Sequence, residues 1–210
     1  MRWPSSTRWS RTPTAITTPF RATLIETFLG YNRAEREELV VVIRKYAAAD
    51  SVDKSGRGGL RTQGNLFEKP DPALAEFRRR VEPHVMQAVR EIFMKRSNMR
   101  SNMKLTLSGW GYVLSGHGHI EPHQHTSAML AATFYLKVPD SVAVERRGGA
   151  LQLYNPSSSE GFLLRQGQMA SKLEIYPQND SFVMFPADLW HSVSPVPEGD
   201  ERVALTFNVL

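Results

Sequence analysis

Three histidines and one arginine define the chemistry available to this 210-residue chain. His123 and His125 flank Gln124. His191 closes the segment Phe185-Pro186-Ala187-Asp188-Leu189-Trp190-His191, and Arg202 follows it. On a β-strand the side chains at i and i+2 share a face, so His123 and His125 can aim two nitrogens at one point. His191, opening an apolar stretch after the turn Pro186-Ala187-Asp188, is the candidate third ligand. Three ligands gathered on one side of a metal leave positions free, as suits a metal that works on bound molecules rather than a closed structural site. The other reading of so many histidines is a solvated or opportunistic metal-binding surface. An idle imidazole in the apolar setting of His191 argues against it. Arg202 offers a planar fork of N–H groups that matches a carboxylate. Alone it reads better as an edge-strand arginine in solvent; beside three histidines it reads as the socket of an acidic ligand.

The register of the first pair leaves an alternative open. His117, His119, Glu121, His123 and His125 would share one face of an unbroken strand, and His119-Ile120-Glu121 is a His-x-carboxylate pair of the kind found in iron sites. Pro122 is expected to interrupt the ladder between the two pairs. The apolar run from Met129 to Leu136 follows His125 directly. That favours His123 and His125 as ligands and leaves His119 and Glu121 at the cavity mouth. His84, within a helical pattern, reads as a helix-surface residue.

The elements that must position these groups change character along the chain. Residues 1–20 are rich in Arg, Ser, Thr and Pro and are expected to be a flexible basic arm or a targeting segment. Arg2, Arg8, Arg11 and Arg21 lie in the first 25 residues without any acid, which leaves one unit of the net charge of +5 for the rest. That balance gives no reason to expect nucleic-acid binding. Residues 21–102 are expected to be a helical preface. Asn32 caps a helix over 33–49, a long glycine- and proline-rich loop spans 50–72, and a second helix covers 72–95, with Pro83 a possible kink. From 103 to 210, short β-branched and aromatic runs are parted by turn residues. Strands are expected at 104–114, 129–138, 149–154, 173–176, 181–185, 190–194 and 202–209. The implied class is α+β and mainly β: a jelly-roll, cupin-like barrel with the N-terminal helices packed on its sheet. There is no cysteine, so thiolate metal sites, disulfides and cysteine nucleophiles are excluded. No apolar run reaches the length of a membrane span, no secretory signal is present, and a cytoplasmic location is expected.

The C-terminal half resembles the 2-oxoglutarate- and Fe(II)-dependent oxygenases, most closely a bacterial and phage group with a His-x-His motif. The resemblance rests on Pro122-His123-Gln124-His125, on Phe134-Tyr135-Leu136-Lys137-Val138-Pro139, on the segment Phe185–His191 and on Arg202-Val203-Ala204-Leu205-Thr206-Phe207-Asn208. Trp110 and Gly149-Ala150-Leu151 fall where that pattern has strands. It implies a double-stranded β-helix in which His123, His125 and His191 bind Fe(II). It also implies that Arg202 receives the distal carboxylate of 2-oxoglutarate, and that O₂ drives oxidative decarboxylation coupled to hydroxylation of a substrate. Two departures stand out. Most of the superfamily carries a carboxylate where this chain has His125, and many members place Ser or Thr where Ala204 stands. Thr206, Tyr112 and Tyr135 are the candidates to supply the missing hydrogen bond.

Two rival readings use the same barrel. One is a cupin-type metal enzyme without 2-oxoglutarate; against it, Met129 and Leu130 stand where that motif needs a glutamate, and Arg202 has no task. The other is a metal-stabilised binding module without activity. Substrate and oligomeric state have no signature, and specificity is expected from the loops at 50–72 and 155–171.

Overall fold

The computed structural model describes residues 14–17, 22–49, 56–93, 105–155 and 172–210. Most of the basic arm and nearly all of the loop expected at 155–171 lie outside the described residues. The strands are β1 (Ala15–Thr17), β2 (Leu24–Phe28), β3 (Gly56–Arg61), β4 (Leu107–His123), β5 (Leu130–Lys137), β6 (Leu151–Tyr154), β7 (Lys172–Ile175), β8 (Ser181–Pro186), β9 (His191–Val193) and β10 (Glu201–Val209). The helices are α1 (Arg33–Ala49), α2 (Pro72–Ile92) and the single turn α3 (Asp140–Ala143).

Both long helices begin where local chemistry dictates. The Asn32 side chain accepts the Glu35 N–H at 3.1 Å while the Glu35 carboxylate accepts the Asn32 N–H at 2.8 Å, a reciprocal cap at the start of α1. Asp71 accepts the Ala73 N–H at 3.1 Å, and Pro72 occupies the first turn of α2, where its missing N–H costs nothing. Pro83 lies on the exposed side of α2, and the helix runs through it unbroken. Leu74, Phe77, Val81, Val85 and Val89 form the buried stripe of α2.

All paired strands are antiparallel, in the order β1-β2-β8-β5-β10-β4-β9-β6-β7, with β3 also on β4. The curled sheet is a double-stranded β-helix, and β4 joins its two halves. The first part of β4 pairs with β10 as far as Ser115, opposite Glu201; its end pairs with β9 at Ile120 and His123. Between these lie Gly116 and His117, both at positive φ, and Gly118. A Cβ on Gly118 would lie 2.4 Å from the Gly58 carbonyl oxygen, so only glycine allows β3 so close to this bend. β4 is therefore longer than the expected 104–114. Pro122 does not end it, because the ladder is already irregular between Ile120 and His123.

Three strands fall where no strand was expected: β1 within the basic arm, β2 within the helical preface, and β3 within the loop at 50–72. β3 is built from Gly-Arg-Gly-Gly-Leu-Arg, which has none of the β-branched residues that mark strands. Its glycines are favoured here by close approach instead, since a Cβ on Gly59 would meet the Val113 carbonyl oxygen at 2.7 Å.

The period of two sorts each strand between two cores. Val203, Leu205, Phe207 and Val209 of β10 join Phe134, Phe182 and Met184 beneath the helices, where Phe77, Val81 and Ile43 meet them. The opposite faces turn into the barrel. There Ala131, Tyr135, Val183, Phe185 and Ala204 pack with Leu151 and Leu153, and Trp110, Tyr112 and Leu114 pack with Ile120 and Val193. The helices seat closely on β4, since a Cβ on Gly111 would stand 2.6 Å from Cγ2 of Ile43. No described helix is long and apolar enough to cross a membrane.

Candidate metal centre

Strand register sets two of the candidate ligands face to face: His123 on β4 is directly opposite His191 on β9. His125 lies just beyond the end of β4, in a turn rather than on the strand that its spacing suggests. It is fixed there by backbone bonds: its N–H donates to the Ala187 carbonyl at 2.8 Å, and its carbonyl accepts the Ala128 N–H at 3.2 Å. The three ring centroids are separated by 4.3 Å (His123 to His191), 4.9 Å (His123 to His125) and 5.1 Å (His125 to His191). One nitrogen from each ring falls within 4.8 Å of the others.

The tautomers suit metal binding. His123 Nδ1 lies 2.8 Å from the Glu121 carbonyl, and His191 Nδ1 lies 2.8 Å from the Leu189 carbonyl. A carbonyl only accepts, so Nδ1 carries the proton and Nε2 keeps its lone pair. His125 Nε2 is buried without a hydrogen-bond partner. Burial pushes His191 down to about 3 and His125 down to about 4, and it lowers His123 as well; neighbouring imidazole or Arg61 charges add to the effect. All three rings are thus neutral at physiological pH, the form that binds a metal. The donor set and its orphaned nitrogen fit a divalent metal that accepts imidazole.

The same burial has a cost in acid. The unfolded chain takes up these protons near the ordinary histidine value of 6.5 and the folded chain resists them, so stability is fully present above that pH and is lost as pH falls below it. The Tm of the metal-free protein is expected to drop between pH 6.5 and 4. Each tenfold gap between the unfolded and the folded chain in proton affinity at a ring is worth about 1.4 kcal/mol. A Tm that is flat over that range would contradict the buried triad.

Glu121 does not join these rings. It is exposed and pairs with Arg57 of β3 at 3.3 Å. His119 is also at the surface side of β4, its Nδ1 3.0 Å from the His117 carbonyl. The irregularity between Ile120 and His123 breaks the shared face that an unbroken strand would have given. Glu121→Gln is expected to leave metal affinity within about threefold, because an exposed ion pair contributes little. His125→Ala should lower the affinity at least about tenfold, since even outer partners of metal ligands matter that much. Titration calorimetry with Mn(II) reads both, and the reverse order would restore Glu121 as a ligand.

Arg202 is 2% exposed, on β10 between β4 and β5. Its guanidinium lies 4.8 Å from the centre of the Tyr135 ring. Nε has no partner, no acidic side chain among the described residues pairs with the charge, and burial lowers its basicity. The Tyr135 hydroxyl is likewise buried, with the guanidinium close enough to act on it but no well-formed hydrogen bond. A buried cation and a buried hydroxyl left unsatisfied are costly, and together they form a receptor for an anion. Both face one cavity, along with His123, His191, Tyr112 and Thr206. The cavity is narrow, about 30 Å³. That is the room of roughly two or three waters, so a larger ligand has to displace the side chains that line it. Of the candidates to complete the socket, Thr206 Oγ1 is 3.4 Å from Thr133 Oγ1, a weak contact that leaves it available. Ala204 adds only a methyl group to the wall.

Two residues not proposed as site groups on sequence stand at the triad. Trp110 lies 5.7 Å from the His125 ring, and Arg61 of β3 stacks 4.7 Å over Trp110. The inward alternation Trp110-x-Tyr112 was a signal for a stacked cation, but the partner strand was hidden in a glycine-rich segment. Half-buried His84 meets Phe182 edge-on at 6.3 Å, far from the centre.

Residues 108–208 match the family described as "Putative 2OG-Fe(II) oxygenase". No curated protein matches the chain in sequence. Among solved structures, the fold is similar to a prolyl-4-hydroxylase from Pseudomonas putida, with a TM-score of 0.62, 13% identity, and 89% of this chain and 91% of that one covered. HygX from Streptomyces hygroscopicus, solved with nickel and 2-oxoglutarate bound, gives 0.62 and 14% identity, covering 89% of this chain and 82% of that one. A prolyl hydroxylase from Trichoplax adhaerens, solved with a hypoxia-inducible-factor peptide fragment, gives 0.54 and 16%, covering 89% and 82%.

Proposed function

We propose, from the premise that the β core of this chain, residues 108–208, belongs to the 2OG-Fe(II) oxygenases, that the protein hydroxylates an organic substrate with Fe(II) held by His123, His125 and His191 and 2-oxoglutarate anchored on Arg202. The observation that carries this reading is the shared cavity: two of the neutral imidazoles and an unpaired buried guanidinium line the same narrow space. When bound, Fe(II) supplies the chemistry by which O₂ converts 2-oxoglutarate to succinate and CO₂ while the substrate gains an oxygen atom.

The protein's own part is positioning, charge and exclusion of water. The Nδ1 bonds to Glu121 and Leu189 hold two rings with Nε2 presented, so no tautomer change is needed on metal entry. Arg202, planar and fully charged, offers the distal carboxylate a charge-assisted pair in a setting shielded from water. Tyr135 stacks beneath it and offers its hydroxyl to the same carboxylate, in place of the Ser or Thr absent at Ala204. Three imidazoles leave the metal site one unit more positive than two imidazoles and a carboxylate, which favours a dianionic cosubstrate. Apolar walls from Phe185, Leu151 and Val193 keep bulk water out. Two of the structural neighbours are named as prolyl hydroxylases, in keeping with hydroxylation as the outcome.

The test is 2-oxoglutarate consumption by the Fe(II)-loaded protein in air, with O₂ uptake and succinate followed together. Slow succinate formation that needs both Fe(II) and 2-oxoglutarate is expected even without a substrate. O₂ uptake independent of 2-oxoglutarate would indicate a cupin-type enzyme, and tight metal retention without any succinate would indicate a binding module.

A further inference from the structure

The buried polar atoms without partners fall mainly in one region. Arg202 Nε and the Tyr135 hydroxyl belong to the inner socket. Arg61 Nε, Trp110 Nε1 and His125 Nε2 form a second group. His125 Nε2 is accounted for by metal binding; the two donors beside it are not. Arg61 is the last residue of β3 and is held by register opposite Tyr112. Its guanidinium is stacked 4.7 Å from the Trp110 ring and 5.9 Å from the Tyr112 ring, so its plane is fixed before any ligand arrives. No acidic side chain among the described residues pairs with it. Glu121 is engaged by Arg57, at the other end of β3. Arg61 stands beside the triad, joined to it through the Trp110 ring. Trp110 touches both groups, packing on His125 at 5.7 Å while it carries Arg61 on its ring.

We infer that Arg61 and Trp110 form an anchor for a carboxylate on the substrate itself, separate from the cosubstrate socket at Arg202. This deepens the oxygenase reading and rests on it for the word substrate. The chemistry selects the ligand class. One half-buried guanidinium and one indole N–H supply a single positive charge and two fixed, unmet donors, which suits a planar monoanion better than a doubly charged phosphate. Arg61 is half-buried, unlike Arg202, so its ligand arrives from the solvent side of the triad. The protein would therefore prefer an organic acid over the corresponding neutral amide and would act on a carbon within a few bonds of the carboxylate. Arg61 would be a specificity-determining residue for the same reaction.

The experiment uses the full-length protein loaded with Mn(II) and 2-oxoglutarate, so that the inner socket is filled and no turnover occurs. Propanoate, benzoate and N-acetylglycine are titrated calorimetrically against propanamide, benzamide and N-acetylglycinamide. At least one acid should bind about tenfold or more tightly than its amide, as a charge-assisted pair is worth. Arg61→Gln should abolish that preference, Arg61→Lys should retain part of it, and Trp110→Phe, which keeps the stacking surface and removes the N–H, should weaken it. The affinity for 2-oxoglutarate, measured on the same samples, should be unchanged in Arg61→Gln. Equal binding of acids and amides by the wild-type protein, binding of neither, or an acid preference that survives in folded Arg61→Gln would each overturn the inference. If 2-oxoglutarate fails to bind the wild-type protein, the oxygenase reading falls instead; the titrations repeated with Mn(II) alone then decide the Arg61 anchor by the same criteria.

Discussion

Replacing His191 with Ala is expected to lower metal affinity by more than about a hundredfold and to abolish 2-oxoglutarate-dependent succinate formation. Loss of a mere partner of a metal-bound histidine costs about 10–100-fold, and loss of the ligand itself exceeds that. His191 is the most buried of the three rings at 6% exposure, is packed edge-on against Phe185 at 4.9 Å, and sits in register with His123. Circular dichroism would show that the variant retains its sheet, and added imidazole, filling the space left, should restore part of the metal binding. Full activity in a folded His191→Ala protein would remove the proposed ligand.

The second large effect separates binding from stability at Arg202. Arg202→Met keeps the volume packed over Tyr135 while removing the charge. A buried ion that loses its partner costs about 2–5 kcal/mol, so the KM for 2-oxoglutarate should rise at least about tenfold, with a smaller change in kcat at saturation. The metal-free, ligand-free protein should respond in the opposite sense. It buries an unpaired cation, and well-packed apolar replacements of such groups are neutral or stabilising by about 1–4 kcal/mol. An unchanged KM would mean that Arg202 serves the fold, and a lowered apo Tm would mean that its charge is already satisfied.

What could be read from the sequence follows from how local each signal is. The helices 33–49 and 72–92 and most of the barrel strands carry their own periodicity and caps, so residue type alone places them. The histidines and Arg202 stand out because their chemistry is unusual at those spacings, whatever the strand geometry. The detail of the site depends on long-range pairing, which no window of sequence contains. That His125 lies in a turn is decided by the Ala187 carbonyl far along the chain. That Glu121 points away is decided by a ladder irregularity and by Arg57. β3 was hidden for a physical reason: its glycines answer to the backbone of β4, and glycine-rich segments are read as loops unless the neighbouring strand is known. Arg61 was hidden with it.

In the proposed function, three imidazoles and a guanidinium together serve one small diacid. The most direct measurement is a crystal structure of the protein with Fe(II), prepared without oxygen, and the 2-oxoglutarate analogue N-oxalylglycine. The expected result is a metal bound by one ring nitrogen each of His123, His125 and His191, with the analogue joining it at one end and placing its distal carboxylate on Arg202 beside Tyr135. A metal held elsewhere, or an analogue that leaves Arg202 without a carboxylate, would contradict it.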